Sequence, residues 1–290
     1  MKVVLFCGGL GMRIRDNENI PKPMITIGYR PIVWHLMKYY AHFGFRDFVL
    51  CLGYRADYIK NYFLNYNECA SNDFTLSEGG RKVDLLKSDI SDWRITFVDT
   101  GLHANIGMRL KAVEKHLVGE EYFLANYADG LTDLNLNDQL SHFYASGTVA
   151  SFLSVKPNLS LHAVSTDSSG QVTGIEDIAQ TRLRVNGGFF AFRSDVFDYI
   201  GDGEELVVQP FRRLVDKRQL VAVEHGGFWQ AMDTFKDREG LERLYATGNA
   251  PWELWKTSPG PAPASSPRAA ALVTTGNGGL GVTARGDWAG

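Results

Sequence analysis

The residues best suited to chemistry first gather near the N-terminus. An apolar run from Val3 ends on Gly8, Gly9 and Gly11 and is followed by Arg13, Arg15 and Lys22. Glycines between a buried strand and the next element let backbone N–H groups approach a ligand closely, and successive N–H groups form a concavity suited to phosphate. Spacing excludes two familiar phosphate loops. The dinucleotide fingerprint needs a glycine where Ile14 stands, and no Gly-Lys-Ser/Thr completes a P-loop. What remains is Gly-Gly-x-Gly-x-Arg, then Lys22 between Pro21 and Pro23, a rigid segment able to present one ammonium at a fixed point. An ordinary glycine-rich turn has the same letters, and the glycines alone do not decide between the two. Arg13 and Lys22 together tip the reading towards an anion site.

Two carboxylates stand where such a site needs them. Asp129 follows an apolar strand from Tyr122 to Tyr127, at the carboxyl edge where open α/β sheets take ligands. Asp233 precedes a helical pattern from Phe235 to Ala246. Each has a plainer explanation. Asp129-Gly130 suits a turn, and Asp233 adjoins a helix cap at which Thr234 and Asp237 make a capping box. Joined to the glycine loop, they describe phosphoryl transfer: two carboxylates hold Mg²⁺, the metal bridges phosphate oxygens, and basic residues neutralise the remainder.

The elements that must position these residues alternate between strand and helix patterns. Lys2 to Cys7 and Phe48 to Leu52 read as buried strands, and Pro31 to Phe43 and Ala56 to Tyr66 as helices. Phe74–Ser77 and Val83–Leu86 read as a hairpin, Arg94 to Val98 as a strand and Arg109 to Leu117 as a helix. Val149 to Val155, Ala163–Ser165, Val172–Ile175 and Gly187 to Phe192 continue the strand series. The layout predicts an α/β fold with a mostly parallel core and antiparallel additions.

Bulk properties narrow the class. With 290 residues, 44% of them hydrophobic, the chain can form one large domain with an appendage. A net charge of -3 argues against nucleic acid as a partner. Cys7, Cys51 and Cys69 have the spacing of neither a disulfide framework nor a zinc site. No run approaches the about 20 apolar residues of a membrane span, and no charged leader precedes the first strand, so a cytoplasmic protein with no membrane association is expected. After Trp255 the composition shifts to Pro, Ala, Ser and Gly. The expected organisation is therefore a domain at 1–257 and a disordered tail at 258–290.

Cys7-Gly8-Gly9-Leu10-Gly11-Met12-Arg13 with Pro21-Lys22-Pro23-Met24 resembles the signature of sugar-1-phosphate nucleotidyltransferases, and within them the glucose-1-phosphate cytidylyltransferase branch. The resemblance extends through Tyr127-Ala128-Asp129-Gly130, Asn186-Gly187-Gly188 and Trp229-Gln230-Ala231-Met232-Asp233-Thr234, covering Met1 to Trp255. It implies a Rossmann-like domain whose mixed, mostly parallel sheet carries helices on both faces. The implied substrates are NTP and a sugar 1-phosphate, the products NDP-sugar and pyrophosphate. Carried over residue by residue, Gly8, Gly9, Gly11 and Arg109 would line the nucleotide. Arg13 and Lys22 would serve the reacting phosphates, Asp129 and Asp233 would ligate Mg²⁺, and Asn186 and Gly187 would face the sugar. The family commonly forms homo-oligomers.

The departures fall on two places. Met12 replaces the usual threonine of the loop. Where the family carries Glu-Lys-Pro, the lysine gripping the sugar phosphate, this chain reads Glu176-Asp177-Ile178, and Leu161-His162 replaces a Phe-Gly pair. A carboxylate facing a sugar phosphate, both desolvated, would repel it by roughly several kcal/mol. Two accounts follow: Arg182 or Arg184 takes over the phosphate while Asp177 binds a hydroxyl or turns outward, or the sugar is not glucose. A catalytically inactive sugar-nucleotide-binding homologue is the rival from another class. It is favoured by Asp177 and opposed by the joint presence of Arg13, Lys22, Asp129 and Asp233.

Overall fold

The computed structural model describes residues 1–9, 20–158, 161–257 and 259–266. At its centre is an eight-stranded mixed sheet in which Tyr122–Tyr127, Val3–Phe6, Asp47–Leu52 and Arg94–Asp99 run parallel, in that spatial order. Every residue of Val3–Phe6 is buried, as a strand covered on both faces requires. Its side chains alternate between two cores. Val3 and Leu5 meet Phe48, Leu50 and Leu124 beneath helix Ile32–His42. Val4 and Phe6 meet Val49 and Phe123 beneath helix Ile106–Val113. The sheet therefore carries helices on both faces, as expected.

Beyond Tyr122–Tyr127 the sheet turns antiparallel through Phe190–Arg193 to Ala150–Val155, which Leu220–His225 joins in parallel. The single strand expected from Gly187 to Phe192 is two short ones, Val185–Asn186 and Phe190–Arg193. Gly188 and Phe189 take positive φ of 77° and 50° and break the ladder between them. The break is held open by Asn126, whose Oδ1 accepts from Phe189 N at 2.9 Å.

Other elements differ in extent. The helix expected from Arg109 begins earlier, at Ile106, because Asn105 caps it by accepting from Met108 N. Helices Leu136–Ser146 and Gln209–Asp216 are additional, as is a ribbon pairing Gly130–Thr132 with Trp229–Ala231. Helix Phe235–Ala246 opens with the expected Thr234–Asp237 capping box. Two hairpins, Phe74–Ser77 with Lys82–Leu85 and His162–Thr166 with Val172–Asp177, form separate two-stranded sheets. Residues 259–266 lie along the body, where Asn137 donates to Ala262 O and accepts from Ala264 N, both at 2.9 Å. Residues 258 and 267–290 of the expected tail lie outside the described residues. Among those described, no helix is long and apolar enough to cross a membrane.

Candidate active site

The parallel strands Val3–Phe6, Asp47–Leu52 and Tyr122–Tyr127 deliver their carboxyl ends to one edge, where the motif residues meet. Past Val3–Phe6, Cys7 N still pairs with Cys51 O at 2.9 Å, and the chain then opens at Gly8 and Gly9. Gly8 O accepts from Arg109 Nη2 at 3.0 Å, while Arg109 Nη1 donates to Leu52 O at 3.1 Å and Thr100 Oγ1 at 2.7 Å. One buried guanidinium thus ties the ends of three neighbouring strands. A Cβ on Gly8 would lie 2.0 Å from Arg109 Nη1, so any side chain there would push the guanidinium off its strand-end contacts. Gly9 faces open space. Gly11 and Arg13, with Met12 and Arg15, lie outside the described residues.

Lys22 begins the turn Lys22–Met24, whose Pro23 and Met24 are buried and anchor it. Its ammonium donates to Asp129 Oδ2 at 2.6 Å and to Asp233 Oδ1 at 2.7 Å. Burial works against the lysine's charge, but the two carboxylates outweigh it and raise its pKa. Residues 129 and 233 are 104 apart in sequence, and the short ribbon explains their meeting. Gly130 registers with Ala231, and Met232 N donates to Asp129 O at 2.9 Å, so the two aspartates leave adjacent strand ends side by side. Asp233 does not cap the helix after it; Thr234 and Asp237 do.

Beside the cluster lies a cavity of about 200 Å³ lined by Asn126, Tyr127, Asp129, Asn186, Trp229 and Asp233, with Gly187 in its wall. Asn186 Nδ2 donates to Tyr127 Oη at 3.4 Å, and Trp229 Nε1 donates to Gly187 O at 2.9 Å. The cavity thus offers an indole, amide and phenol groups and two carboxylates, a lining suited to the hydroxyls of a polyol. Among the described residues no three His, Cys, Asp or Glu side chains gather to enclose a metal. The two hard-oxygen carboxylates could hold a divalent metal ion that keeps open positions for water and substrate phosphates.

The chain is 36% identical over 259 residues to the glucose-1-phosphate cytidylyltransferase of Salmonella typhi, which covers 88% of this chain and 100% of that protein. The enzyme of the same name in Salmonella typhimurium matches at the same identity and coverage. The chain belongs to the glucose-1-phosphate cytidylyltransferase family. It is a nucleotidyltransferase. Among solved structures, UDP-glucose pyrophosphorylase complexed with UDP-glucose shares the fold, with a TM-score of 0.62 at 15% identity over 85% of this chain and 98% of that one. No protein-family model matches the chain.

The structure gathers some of this nucleotidyltransferase's expected site residues and separates others. Gly8, Arg109, Lys22, Asp129, Asp233, Asn186 and Gly187 share the carboxyl edge. Glu176, Asp177, Arg182 and Arg184 do not line the cavity. Glu176 and Asp177 end the exposed hairpin strand Val172–Asp177, and Asp177 Oδ1 accepts from Ala179 N at 2.9 Å, capping the turn Ile178–Gln180. Arg184 pairs with Glu224 at 2.8 Å, and Arg182 is exposed. Asn126 escaped the sequence reading. Its signal was a polar residue inside the apolar run Tyr122–Tyr127, where an amide is tolerated only if hydrogen-bonded.

A larger hollow of about 920 Å³ lies elsewhere, between Arg30, Trp34, Lys38 and Asp89. Its buried charges are already matched: Arg30 bonds Ser71, Tyr62 and the Asn67 carbonyl, and Lys38 pairs with Asp89 at 3.3 Å. That network is structural. Cys7 is equally inert, since burial pushes its thiol well above the ordinary range.

Proposed function

We propose that the protein joins CTP and glucose 1-phosphate to give CDP-glucose and pyrophosphate, with Mg²⁺ held by Asp129 and Asp233. The reaction class follows from the family, and the base and sugar follow the names of its relatives. The observation that carries the residue roles is the contact of the Lys22 ammonium with both carboxylates at the carboxyl edge. Bound there, the metal would neutralise phosphate charge and orient the triphosphate.

A phosphate oxygen of the sugar attacks the α-phosphorus in line. The new P–O bond forms as the bond to the β-phosphate oxygen breaks, and pyrophosphate carries away that electron pair. The chain supplies position and charge rather than a covalent intermediate. Gly8 and Gly9 admit the triphosphate close to backbone, and Arg109 holds the loop against the neighbouring strand ends. Gly11 and Arg13 lie outside the described residues, and the motif match assigns them to the nucleotide and the departing pyrophosphate. Lys22 neutralises the reacting phosphates, while Asn186, Gly187 and Trp229 hold the hexose in the cavity. Asp177 stays outside because its carboxylate is committed to the turn it caps, which leaves glucose 1-phosphate acceptable.

The need for CTP places the reaction in the cytoplasm. Assembly as a homo-oligomer is supported by the Phe74–Leu85 hairpin, whose facing Leu76 and Val83 are 59% and 47% exposed on a two-stranded sheet standing alone. The test is pyrophosphate release across a grid of four NTPs and several hexose 1-phosphates with Mg²⁺. CTP with glucose 1-phosphate should give the highest kcat/KM. A different preferred pair would overturn the substrate assignment, and no release with any pair would overturn the activity.

A further inference from the structure

Lys22 stands where the proposed metal would bind. Its ammonium contacts both carboxylates at once, 2.6 Å from Asp129 and 2.7 Å from Asp233. The lysine and Asp129 side chains are 13% and 26% exposed, so solvent screens that pair weakly, while Asp233, 50% exposed, is screened more. Its backbone is fixed by the flanking prolines and by Met24 N donating to Pro21 O at 2.8 Å. Only the side chain can withdraw. A tethered cation is present at high effective concentration, so a free ion must displace it. A bare divalent ion would also gain just two protein carboxylates for the water it sheds, since no third acidic, His or Cys ligand joins them among the described residues.

We infer that Lys22 is the internal counter-cation of the metal site: without nucleotide it holds the carboxylates against bare metal, and nucleotide phosphates draw it off. This rests on the reading that Asp129 and Asp233 are the metal ligands. Two carboxylates and one ammonium leave a formal charge of −1, and the triphosphate offers that ammonium a stronger anion. Released from the carboxylates, the lysine turns to the phosphates as the metal takes its place. Metal and nucleotide then bind with positive coupling, each raising the affinity of the other by the same factor.

The experiment measures Mn²⁺ binding to the full chain from the EPR signal of free Mn²⁺, first without nucleotide. Lys22→Gln should bind Mn²⁺ about tenfold or more tightly than wild type, the scale of a typical coupling. Lys22→Arg, which keeps the charge, should stay as weak as wild type. CTP should raise the affinity of wild type much more than that of Lys22→Gln. Thermal melting gives a second readout independent of activity: Mn²⁺ alone should raise the Tm of Lys22→Gln more than that of wild type. Equal or weaker Mn²⁺ binding by Lys22→Gln would overturn the inference. Asp129→Asn and Asp233→Asn separate the two levels. If either abolishes Mn²⁺ binding while Lys22→Gln leaves it unchanged, the metal site stands and the counter-cation role falls. If neither affects Mn²⁺ binding, the metal site itself is misplaced.

Discussion

At the scale of single residues, the chemistry of each side chain follows from what it touches. His35 shows this away from the site. It is fully buried, its Nε2 donates to Ile27 O at 3.0 Å, and its Nδ1 accepts from Trp252 Nε1 at 3.3 Å. The Nδ1 contact needs the neutral ring, and burial pushes its pKa down to about 4. Above the unfolded value of about 6.5 neither state holds the proton, so the group adds no pH dependence. As pH falls below that, the unfolded chain takes up a proton that the fold refuses, and stability drops until about pH 4. The loss over this window is about 3 kcal/mol. Denaturant unfolding at pH 7 and pH 4.5 should show a smaller fall for His35→Gln than for wild type. An equal fall would mean the ring is protonated in the fold. In sequence, His35 and His42 stand on helix Ile32–His42 with nothing local to say which is core and which is surface. Only the contact with Trp252, 217 residues away, reveals a core residue. Asp177 was likewise visible as a departure, but its local capping bond was not, because the letters do not say which way a carboxylate turns.

At the scale of elements, the ribbon of Gly130–Thr132 and Trp229–Ala231 sets the site, because it lies between Asp129 and Asp233. Its far end is fastened by Asp133, whose Oδ1 accepts from His225 Nε2 at 2.7 Å and Phe228 N at 2.8 Å. Thr132 Oγ1 adds a bond to Phe228 O at 2.8 Å. Asp133→Ala should cost about 1.5–3 kcal/mol, the range for a lost hydrogen bond to a charged group. It should also lower kcat more than KM for nucleotide, since it loosens the carboxylates rather than the glycine loop. Unchanged kcat with lowered stability would limit Asp133 to holding the fold. Most strands and the helices Ile32–His42 and Phe235–Ala246 were legible from local period, the second helix also from its capping box, whereas the strand Leu220–His225 went unread. The ribbon was not. Three residues on each side carry no period, and their pairing spans almost a hundred positions. The broken strand at Gly188–Phe189 was hidden for a similar reason, since Phe189 takes its positive φ through a bond to Asn126 in another strand.

At the scale of the whole molecule, two cores on opposite sheet faces make a rigid plate with one functional edge. The α/β class was readable from the alternation of patterns, and the position of Asp129 at the carboxyl edge followed from it. Which distant segments return to that edge was not readable by pattern alone. Asp233 stood out beside a helix cap and was matched by the resemblance, and the ribbon register explains its meeting with Asp129. Relatives matched over their full length account for 88% of this chain. The central claim is that Asp129 and Asp233 at this edge support cytidylyl transfer. Pyrophosphate release from CTP and glucose 1-phosphate with Mg²⁺, compared between wild type and the folded Asp129→Asn and Asp233→Asn variants, tests it most directly. Each substitution should lower kcat by about a hundredfold or more, as the loss of a group aligned with transition-state charge does. Turnover near the wild-type rate in either variant would contradict the account.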